Sequence, residues 1–189
     1  MNDLFSLNDK VAIVTGALGL IGKNHCFALA EAGANVIACD LSGEMCEEFA
    51  KNLPNDSIGI GVDITNPDSL KNLRDEVLNK FGKIDVLVNN AAINDMFENP
   101  SAALEQSMFE NYPLEMWKKS LEVNVTGMFL CSQIIGREMA KRKHGSIINV
   151  ASTYGIVAPD QSLYKNEKGE QTFYKSPAYP ATKGAVISF

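Results

Sequence analysis

Two tyrosines in this sequence are followed by a lysine at the fourth position, Tyr179 by Lys183 and Tyr164 by Lys168. Residues at this spacing lie on one face of a helix, so each pair would place a phenol next to an ammonium group. A positive neighbour stabilises the phenolate form of tyrosine and makes it usable as a proton acceptor near neutral pH. Such a pair therefore indicates a general acid/base, provided that its residues are helical.

The neighbouring residues favour Tyr179 over Tyr164. Residues 184–189 are mostly apolar and can bury one face of a helix, whereas residues 165–170 are polar and have no apolar periodicity. We therefore expect Tyr179 to be the acid/base and keep Tyr164 as the alternative.

A glycine-rich segment near the N-terminus has the composition of a phosphate-binding turn. It reads Thr-Gly-Ala-Leu-Gly-Leu-Ile-Gly over residues 15–22 and lies between an apolar run and a predicted helix. Glycines allow a tight turn and a close approach of the backbone to a pyrophosphate, and the helix N-terminus offers N–H groups to the anion. The segment predicts dinucleotide binding, with Gly16, Gly19 and Gly22 in the turn.

Acidic residues end the second and third predicted strands. Asp40 can accept hydrogen bonds from both ribose hydroxyls and repel a 2′-phosphate. No arginine or lysine adjoins Asp40, so NAD is favoured over NADP as the cofactor. Asp63 can reach the adenine edge with its side chain. For each aspartate, the alternative is that the carboxylate caps the following turn.

These motifs, together with Asn-Asn-Ala-Ala at 89–92, Asn124 and Ser152, resemble the short-chain dehydrogenase/reductase family in residue type and in order. The resemblance covers nearly the whole chain. Enzymes of this family bind a nicotinamide cofactor on a Rossmann-type sheet and transfer a hydride to or from an alcohol or carbonyl carbon. The resemblance implies that the protein is an NAD(P)-dependent oxidoreductase.

The resemblance also implies a role for each matching residue. Tyr179 would be the general acid/base, Lys183 would hold the nicotinamide ribose and stabilise the phenolate, and Ser152 would hydrogen-bond the reacting oxygen. Asn124 would hold a water that links Lys183 to solvent; the alternative is a mid-helix asparagine that bonds to backbone. No metal ligand is implied. The residues implied to contact the cofactor are Gly16, Gly19, Ile21, Gly22, Asp40, Asp63, Ile64, Asn90, Ala91, Tyr179 and Lys183.

Two branches of the family are represented in these motifs. Asn-Asn-Ala-Ala at 89–92 is typical of the classical branch. The spacing of Gly19 and the runs at 152–155 and 176–179 resemble the extended branch, which includes nucleotide-sugar epimerases and dehydratases. An enzyme of that kind, which uses NAD transiently, is therefore an alternative function.

The segment between Ser152 and Tyr179 is long and carries a balanced set of charged side chains. An apolar substrate such as a steroid or a fatty acyl chain would favour an apolar lining instead. We therefore expect a small polar substrate, a sugar or a sugar-derived compound.

The candidate residues must be positioned by strands and helices. Apolar β-branched runs at 11–15, 35–39, 58–62, 84–88 and 146–150 predict buried parallel strands, and stretches at 21–32, 44–52, 68–81 and 114–142 have helical spacing. Their alternation predicts an α/β fold, a doubly wound parallel sheet in three α/β/α layers that binds ligands at its carboxyl edge. The long connections at 92–113 and 153–178 are predicted to be binding loops or lids, or surface insertions.

Length and composition exclude several classes of protein. A chain of 189 residues, 46% hydrophobic, can bury one sizeable core, so we expect a single NAD(P)-binding Rossmann domain over 1–189. A net charge of −6, with one dense basic cluster at 141–144, does not favour nucleic acid as a partner. Four cysteines without CxxC spacing and the lack of a long apolar run predict a cytoplasmic protein with no membrane span.

Two further expectations come from the family resemblance. The family has additional strands and helices beyond the position of Phe189, so the chain is interpreted as C-terminally truncated, and a non-catalytic dinucleotide-binding fragment is an alternative reading. Family members commonly pair the helix that contains Asn124, and the helix after Tyr179, across a twofold axis. We therefore expect a homo-oligomer, a dimer or a tetramer.

Overall fold

The computed structural model of the protein describes residues 3–94 and 100–189. The chain forms two compact units, each made from two segments. Unit 1 contains Met1–Ala91 and Gly127–Val150, and unit 2 contains Ala92–Thr126 and Ala151–Phe189. The expectation of one domain over 1–189 stays a prediction.

In the described residues, unit 1 is built on a five-stranded parallel sheet with the order β3-β2-β1-β4-β5. The strands are β1 (Val11–Thr15), β2 (Asn35–Asp40), β3 (Ile58–Gly61), β4 (Val86–Asn89) and β5 (Ser146–Asn149). Every strand coincides with a predicted run to within two residues at either end. The order runs outward from β1 first on one side and then on the other, so the predicted doubly wound parallel sheet is confirmed.

The described helices are α1 (Leu20–Glu31), α2 (Gly43–Ala50), α3 (Pro67–Phe81), α4 (Pro100–Ser107), α5 (Leu114–Leu121), α6 (Met128–Arg142) and α7 (Ala178–Ser188). Helices α1, α2, α3 and α6 belong to unit 1. Helices α3 and α6 pack together. Crossovers between parallel strands are right-handed as a rule, and this rule assigns α1 and α2 to one face of the sheet and α3 and α6 to the other. The helices therefore flank the sheet of unit 1 as predicted.

The start and end of α3 illustrate how the sequence sets helix bounds. Asn66 accepts hydrogen bonds from the backbone N–H groups of Asp68 and Ser69, and Pro67 occupies the first turn. Gly82 ends the helix in the left-handed region at φ 70°. The next residues lead directly into β4.

The predicted continuous helix over 114–142 is wrong in its middle. Helix α5 ends at Leu121, a π-helical segment follows over Glu122–Gly127, and α6 begins at Met128. Such a segment inserts an extra residue into the helical ladder and is frequent at functional sites. Periodicity does not reveal it because the chain remains helical on both sides.

The basic cluster at 141–144 includes a structural residue. The guanidinium of Arg142 lies 3.3 Å from the carboxylate of Asp85 and donates to the carbonyl of Ile84 at 3.1 Å. Asp85 is buried and also accepts the backbone N–H of Val11 at 3.0 Å. Arg142 therefore ties the end of α6 to the start of the sheet.

The four cysteines of unit 1, Cys26, Cys39, Cys46 and Cys131, are free and buried. Burial raises the pKa of Cys26 and that of Cys131 to about 12, so both thiols stay protonated. They pack as small apolar side chains.

Unit 2 contains α4, α5, α7 and the two long connections. Short 3-10 helices lie within these connections at Phe109–Asn111, Thr153–Gly155 and Gln161–Leu163. Helix α7 packs against α5 and against the helix Thr153–Gly155. Residues 95–99 of the first connection lie outside the described residues.

Candidate active site

The glycine turn of unit 1 depends on two glycines for steric reasons. Gly16 has φ +65°, and a Cβ there would lie 2.8 Å from the Cα of Ala91. A Cβ at Gly22 would collide with the carbonyl oxygen of Gly16, so the first turn of α1 can pack on the turn only because Gly22 lacks a side chain. Both predicted positions therefore require glycine.

Gly19 is different, because a Cβ there would meet only the carbonyl oxygen of Gly16, at 3.3 Å. Gly19 is the N-cap residue of α1, and it makes no side-chain cap. The first turn of α1 carries no acidic residue, and Ile21 in that turn is exposed. The helix N-terminus with its N–H groups is therefore open to an anion, as a pyrophosphate site requires.

Thr15 organises this turn, a role that sequence reasoning missed. Its hydroxyl donates to the carbonyl of Val88 at 3.3 Å and accepts the backbone N–H groups of Asn90 and Ala91 at 3.1 Å each. Asn90 in turn donates from its amide to the carbonyls of Thr15 and Gly16, at 3.0 and 3.1 Å. Its place between the apolar run and the glycines gave no distinctive signal, and only these hydrogen-bond partners reveal its role.

Asp40 lies at the carboxyl end of β2, beside the glycine turn. One carboxylate oxygen accepts the backbone N–H of Leu18, a residue of that turn, at 3.1 Å, and the other accepts the N–H of Leu41 at 2.8 Å. Each carboxylate oxygen keeps a further lone pair, so these bonds leave capacity for ribose hydroxyls. The structure therefore brings Asp40 to the turn, as both predicted roles require.

Asp63 and Ile64 follow β3, which ends one residue earlier than the predicted run over 58–62. Asp63 is exposed, and its carboxylate accepts the N–H and the hydroxyl of Thr65 at 2.9 and 2.7 Å. Ile64 is 8% exposed, and its side chain packs against Gly127. A Cβ at Gly127 would lie 2.7 Å from the Cδ1 of Ile64. The cap that was the alternative for Asp63 is present, and the contact of both residues with adenine stays a prediction.

In unit 2, Tyr179 and Lys183 lie on the first turns of α7. Tyr179 is half-buried, and Lys183 is 4% exposed with its ammonium 5.8 Å from the centre of the tyrosine ring. Burial lowers the pKa of Lys183 from its ordinary value, because the charged form loses hydration. The predicted juxtaposition of phenol and ammonium on one helix face is therefore present.

Asn124 lies in the π-helical segment and is 2% exposed. Its side chain accepts the backbone N–H of Ile93 at 2.7 Å and donates to the Ile93 carbonyl at 2.9 Å and to the hydroxyl of Thr182 at 3.1 Å. Thr182, a second residue that sequence reasoning missed, donates to the carbonyl of Tyr179 at 2.9 Å. These partners belong to a loop and to α7, so Asn124 links three segments of unit 2.

Ser152 precedes the 3-10 helix Thr153–Gly155, and its hydroxyl oxygen accepts the N–H of Tyr154 at 3.2 Å. The turn after Ser152 lies directly on α7. A Cβ at Gly155 would come within 2.6 Å of the Lys183 carbonyl oxygen, so the two backbones touch only because Gly155 has no side chain. The structure therefore brings the segment of Ser152 to the turn of α7 that carries Lys183.

The alternative base Tyr164 lacks the required geometry. Tyr164 follows the helix Gln161–Leu163 and precedes a turn, so Lys168 does not share a helix face with it. Burial, together with a hydrogen bond of 2.9 Å to the hydroxyl of Tyr154, raises the pKa of Tyr164 to about 12. A raised pKa makes the phenolate less accessible, which favours Tyr179.

The described part of the chain contains no group of three or more His, Cys, Asp or Glu side chains that could hold a metal ion. No helix in residues 3–94 and 100–189 has the length and the apolar character needed to cross a membrane.

This chain is similar to known proteins over nearly its whole length. A family model described as short chain dehydrogenase matches residues 10–189. An NAD-dependent glycerol dehydrogenase of Listeria innocua serovar 6a is 35% identical over 184 residues, which cover 97% of this chain and 63% of that relative. A 3-oxoacyl-(acyl-carrier-protein) reductase of Vibrio cholerae serotype O1 is 33% identical over 186 residues, covering 97% of this chain and 72% of that relative.

A solved structure is also similar to this chain in fold. The crystal structure of a short-chain type dehydrogenase/reductase from Mycobacterium marinum has a TM-score of 0.82 at 29% identity, covering 98% of this chain and 68% of that chain. The chain spans less than two thirds of the length of the glycerol dehydrogenase that it matches.

Proposed function

Since the chain belongs to the short-chain dehydrogenase family of oxidoreductase enzymes, we propose that it transfers a hydride between NAD and the alcohol or carbonyl carbon of a small polar substrate. The observation that carries this proposal is the pair of Tyr179 and Lys183 on α7, with Lys183 buried beside the tyrosine ring. A phenol beside a sheltered ammonium group is suited to exchange a proton with an alcohol oxygen.

Each residue of unit 2 would have a distinct task in alcohol oxidation. Tyr179 would accept the hydroxyl proton of the substrate, and Lys183 would favour the phenolate because water screens its buried charge poorly. Ser152 would donate its O–H to the reacting oxygen, since its own oxygen already accepts the N–H of Tyr154. Orientation of the substrate oxygen by Ser152 would precede proton transfer.

Asn124 would act mainly by position. It holds Thr182, which lies between Tyr179 and Lys183 in α7 and donates to the carbonyl of Tyr179. Its Oδ1 accepts a hydrogen bond from the backbone N–H of Ile93. The second lone pair of this oxygen would accept a hydrogen bond from a water that links Lys183 to solvent.

The residues of unit 1 are suited to the dinucleotide. Gly19 and the N-terminus of α1 would receive the pyrophosphate, and Gly16, Ile21 and Gly22 would shape that site. Asn90 and Ala91 would line the adenine-ribose side of the cofactor. A bound nicotinamide would supply the hydride acceptor for oxidation and the donor for reduction. Asp40 supports NAD over NADP because its carboxylate would repel a 2′-phosphate. The glycerol dehydrogenase relative is also named as NAD-dependent.

A sugar or a sugar-derived compound is the proposed substrate. The connection over 153–178 carries several charged side chains, and one of them, Lys175, lies 5.6 Å from the centre of the Tyr179 ring. A charged group beside the acid/base suits a polar substrate better than an acyl chain. A relative named for glycerol supports a polyhydroxy substrate, and a relative named for a 3-oxoacyl-(acyl-carrier-protein) would favour the apolar alternative.

The test is Tyr179→Phe, assayed through the absorbance of NADH with glycerol, D-glucitol and D-glucose as substrates. Turnover should fall by about 10²- to 10⁴-fold, the usual contribution of a general acid/base. Affinity for NADH, measured by fluorescence titration, should change less than about twofold because the phenol oxygen is one contact among many. Tyr164→Phe is the matched control and should keep its turnover. Full activity in Tyr179→Phe would contradict the assignment.

A nucleotide-sugar epimerase or dehydratase is the second candidate, favoured by Ser-Thr-Tyr-Gly at 152–155. Such an enzyme regenerates its cofactor in each cycle. Equimolar formation of NADH and carbonyl product supports the dehydrogenase, and product without NADH supports the second candidate. A non-catalytic dinucleotide-binding fragment would bind NADH and form no product.

We also propose a cytoplasmic homo-oligomer, a dimer or a tetramer. Exposed apolar side chains on the helices, among them Leu114 at 62% and Phe129 at 42%, are suited to an interface. Sedimentation velocity measures the assembly, and a monomer at micromolar concentration would contradict it.

A further inference from the structure

A cavity of about 590 Å³ lies within unit 2, beside the first turn of α7. Its wall is drawn from the segments 107–110, 158–161 and 174–177 and from Pro180, the residue that follows Tyr179. Proline and other apolar side chains form much of this wall, and Lys175, Gln161 and Glu110 are its main polar groups. The volume and the lining are those of a small-molecule site.

Hydrogen bonds hold the three wall segments together. The side-chain amide of Gln161 accepts the backbone N–H of Lys175 at 2.8 Å and donates to the Lys175 carbonyl at 3.2 Å. The hydroxyl of Ser107, which is buried, accepts the N–H of Tyr174 at 2.9 Å. The backbone on both sides of Lys175 is therefore fixed before any ligand enters.

The segment that leads to Lys175 is also folded on itself. The ring of Tyr164 packs on that of Phe173 with centroids 4.9 Å apart. The side chain of Gln171 donates to the carbonyls of Gln161 and Phe173 at 2.9 and 2.8 Å. Contacts within the connection over 153–178 therefore fix the backbone that carries Lys175.

Lys175 connects the cavity to the proposed acid/base. Its ammonium lies 5.6 Å from the centre of the Tyr179 ring, which is within the range of a cation–π contact. Lys183 lies at a similar distance, 5.8 Å, but does not line the cavity. Tyr179 therefore has two ammonium neighbours, of which Lys175 is the one that also faces the cavity.

We propose that Lys175 determines specificity by binding an anionic oxygen group, a carboxylate or a phosphate, on the substrate. A lysine ammonium is a compact positive charge that binds such groups, and apolar walls strengthen the attraction by excluding water. Apolar wall residues cover the carbon skeleton while the anion is held close to Tyr179. This inference rests on the proposed function, because it requires Tyr179 to act on the same molecule.

Among the described residues that line the cavity, Glu110 carries a negative charge. It lies on the exposed 3-10 helix Phe109–Asn111, where solvent and salt screen its carboxylate. The bonds of Gln161 fix the backbone of Lys175, and the ammonium of Lys175 lies 5.6 Å from the centre of the Tyr179 ring. We therefore expect Glu110→Gln to raise affinity for an anion about twofold, a smaller change than the loss of Lys175 causes.

The experiment compares Lys175→Met, which keeps the length of the side chain and removes the charge, with Lys175→Arg and with Lys168→Met. Lys168 is an exposed lysine of the same insertion outside the cavity wall and serves as the matched control. The probes are D-gluconate, D-glucitol 6-phosphate and neutral D-glucitol, which separate carboxylate, phosphate and uncharged groups on similar carbon chains. The readouts are kcat/KM by NADH absorbance and equilibrium affinity by calorimetry, which does not depend on turnover.

Wild-type protein should bind at least one anionic probe more tightly than D-glucitol. Lys175→Met should lose about 10- to 100-fold in affinity for that anion and less than about twofold in affinity for D-glucitol, as expected for a hydrogen bond to a charged group. The ratio of kcat/KM for the anion to kcat/KM for D-glucitol should fall by the same factor, because loss of the charge beside Tyr179 affects the turnover of both substrates alike. Lys175→Arg should recover most of the loss, and Lys168→Met should match wild type.

Two results would overturn the proposal: wild-type protein that binds neither anion at millimolar concentration, or an anion-to-neutral ratio that Lys175→Met leaves unchanged. Failure of the proposed function looks different. In that case Tyr179→Phe would retain turnover while the dependence of anion affinity on Lys175 persisted.

Discussion

The glycine turn of unit 1 and the tyrosine helix of unit 2 hold their functional residues by different means. In the turn, backbone geometry decides, because Gly16 has a positive φ and Gly22 leaves no room for a side chain against the Gly16 carbonyl. In the helix, side chains from distant segments decide. Asn124 bonds to Ile93, 31 positions earlier, and to Thr182, 58 positions later.

The difference teaches what each region tolerates. A turn that depends on the absence of a side chain is disrupted by a single added methyl group, whatever surrounds it. The side-chain amide of Asn124 joins its own segment to Ile93 and Thr182, and we call this arrangement the three-segment clamp. Its stability can be lowered in steps, since each lost hydrogen bond has a limited cost in free energy. Three substitutions test this contrast, in order of decreasing effect.

Gly22→Ala should have the largest effect on stability. The added Cβ would overlap the carbonyl oxygen of Gly16, so we expect a loss of about 3 kcal/mol in the free energy of unfolding, measured with urea. Gly19→Ala is the matched control, because its Cβ would meet only that oxygen, at 3.3 Å. It should lose less than about 1 kcal/mol and weaken NADH binding instead. Equal destabilisation by both changes would refute the steric account of the turn.

Asn124→Ala should have an intermediate effect. It removes three hydrogen bonds and leaves the buried polar groups of Ile93 and Thr182 with fewer partners, so we expect a loss of about 2 kcal/mol in the free energy of unfolding. Turnover should fall as well, while NADH affinity stays nearly unchanged.

Asn111→Ala provides the comparison for Asn124, since it removes an exposed amide that donates to the carbonyl of Glu105 within the same unit. It should cost less than about 0.5 kcal/mol. If Asn124→Ala were no more destabilising than Asn111→Ala, the three-segment clamp would not contribute to the stability of unit 2.

Asp40→Asn should have the smallest effect. It keeps a side-chain acceptor for the backbone N–H groups of Leu18 and Leu41 and removes the negative charge. The preference for NAD over NADP, taken as the ratio of kcat/KM values, should fall by about tenfold, or about 1.4 kcal/mol. An unchanged ratio would show that the carboxylate charge does not select the cofactor.

Much of the fold could be predicted because strands and helices depend on short-range periodicity. The runs that became β1 to β5 are apolar and β-branched, and their alternation with helical stretches was enough to predict the parallel sheet. The π-helical segment at Glu122–Gly127 could not be predicted, because apolar periodicity on both sides of it is helical. Its detection requires the backbone hydrogen-bond pattern of the folded segment.

Part of the arrangement of the candidate residues could also be predicted, while their roles stay predictions. Tyr179, Lys183 and the glycines were found from spacing, since their relation is set by one helix turn or one loop. Thr15 and Thr182 were missed because a threonine has no distinctive pattern, and only its partners reveal its role. The cap formed by Asp63 with Thr65 was foreseen only as an alternative.

By itself the sequence determined the strand and helix alternation, the glycine turn and the helical pairing of tyrosine with lysine, because each depends on neighbours within a few positions. Only the tertiary structure decided that Asn124 holds Thr182 and that Gln161 places Lys175 next to Tyr179. These contacts join segments that are far apart in the chain. Their energies depend on burial and on distance, which no local pattern of residues encodes.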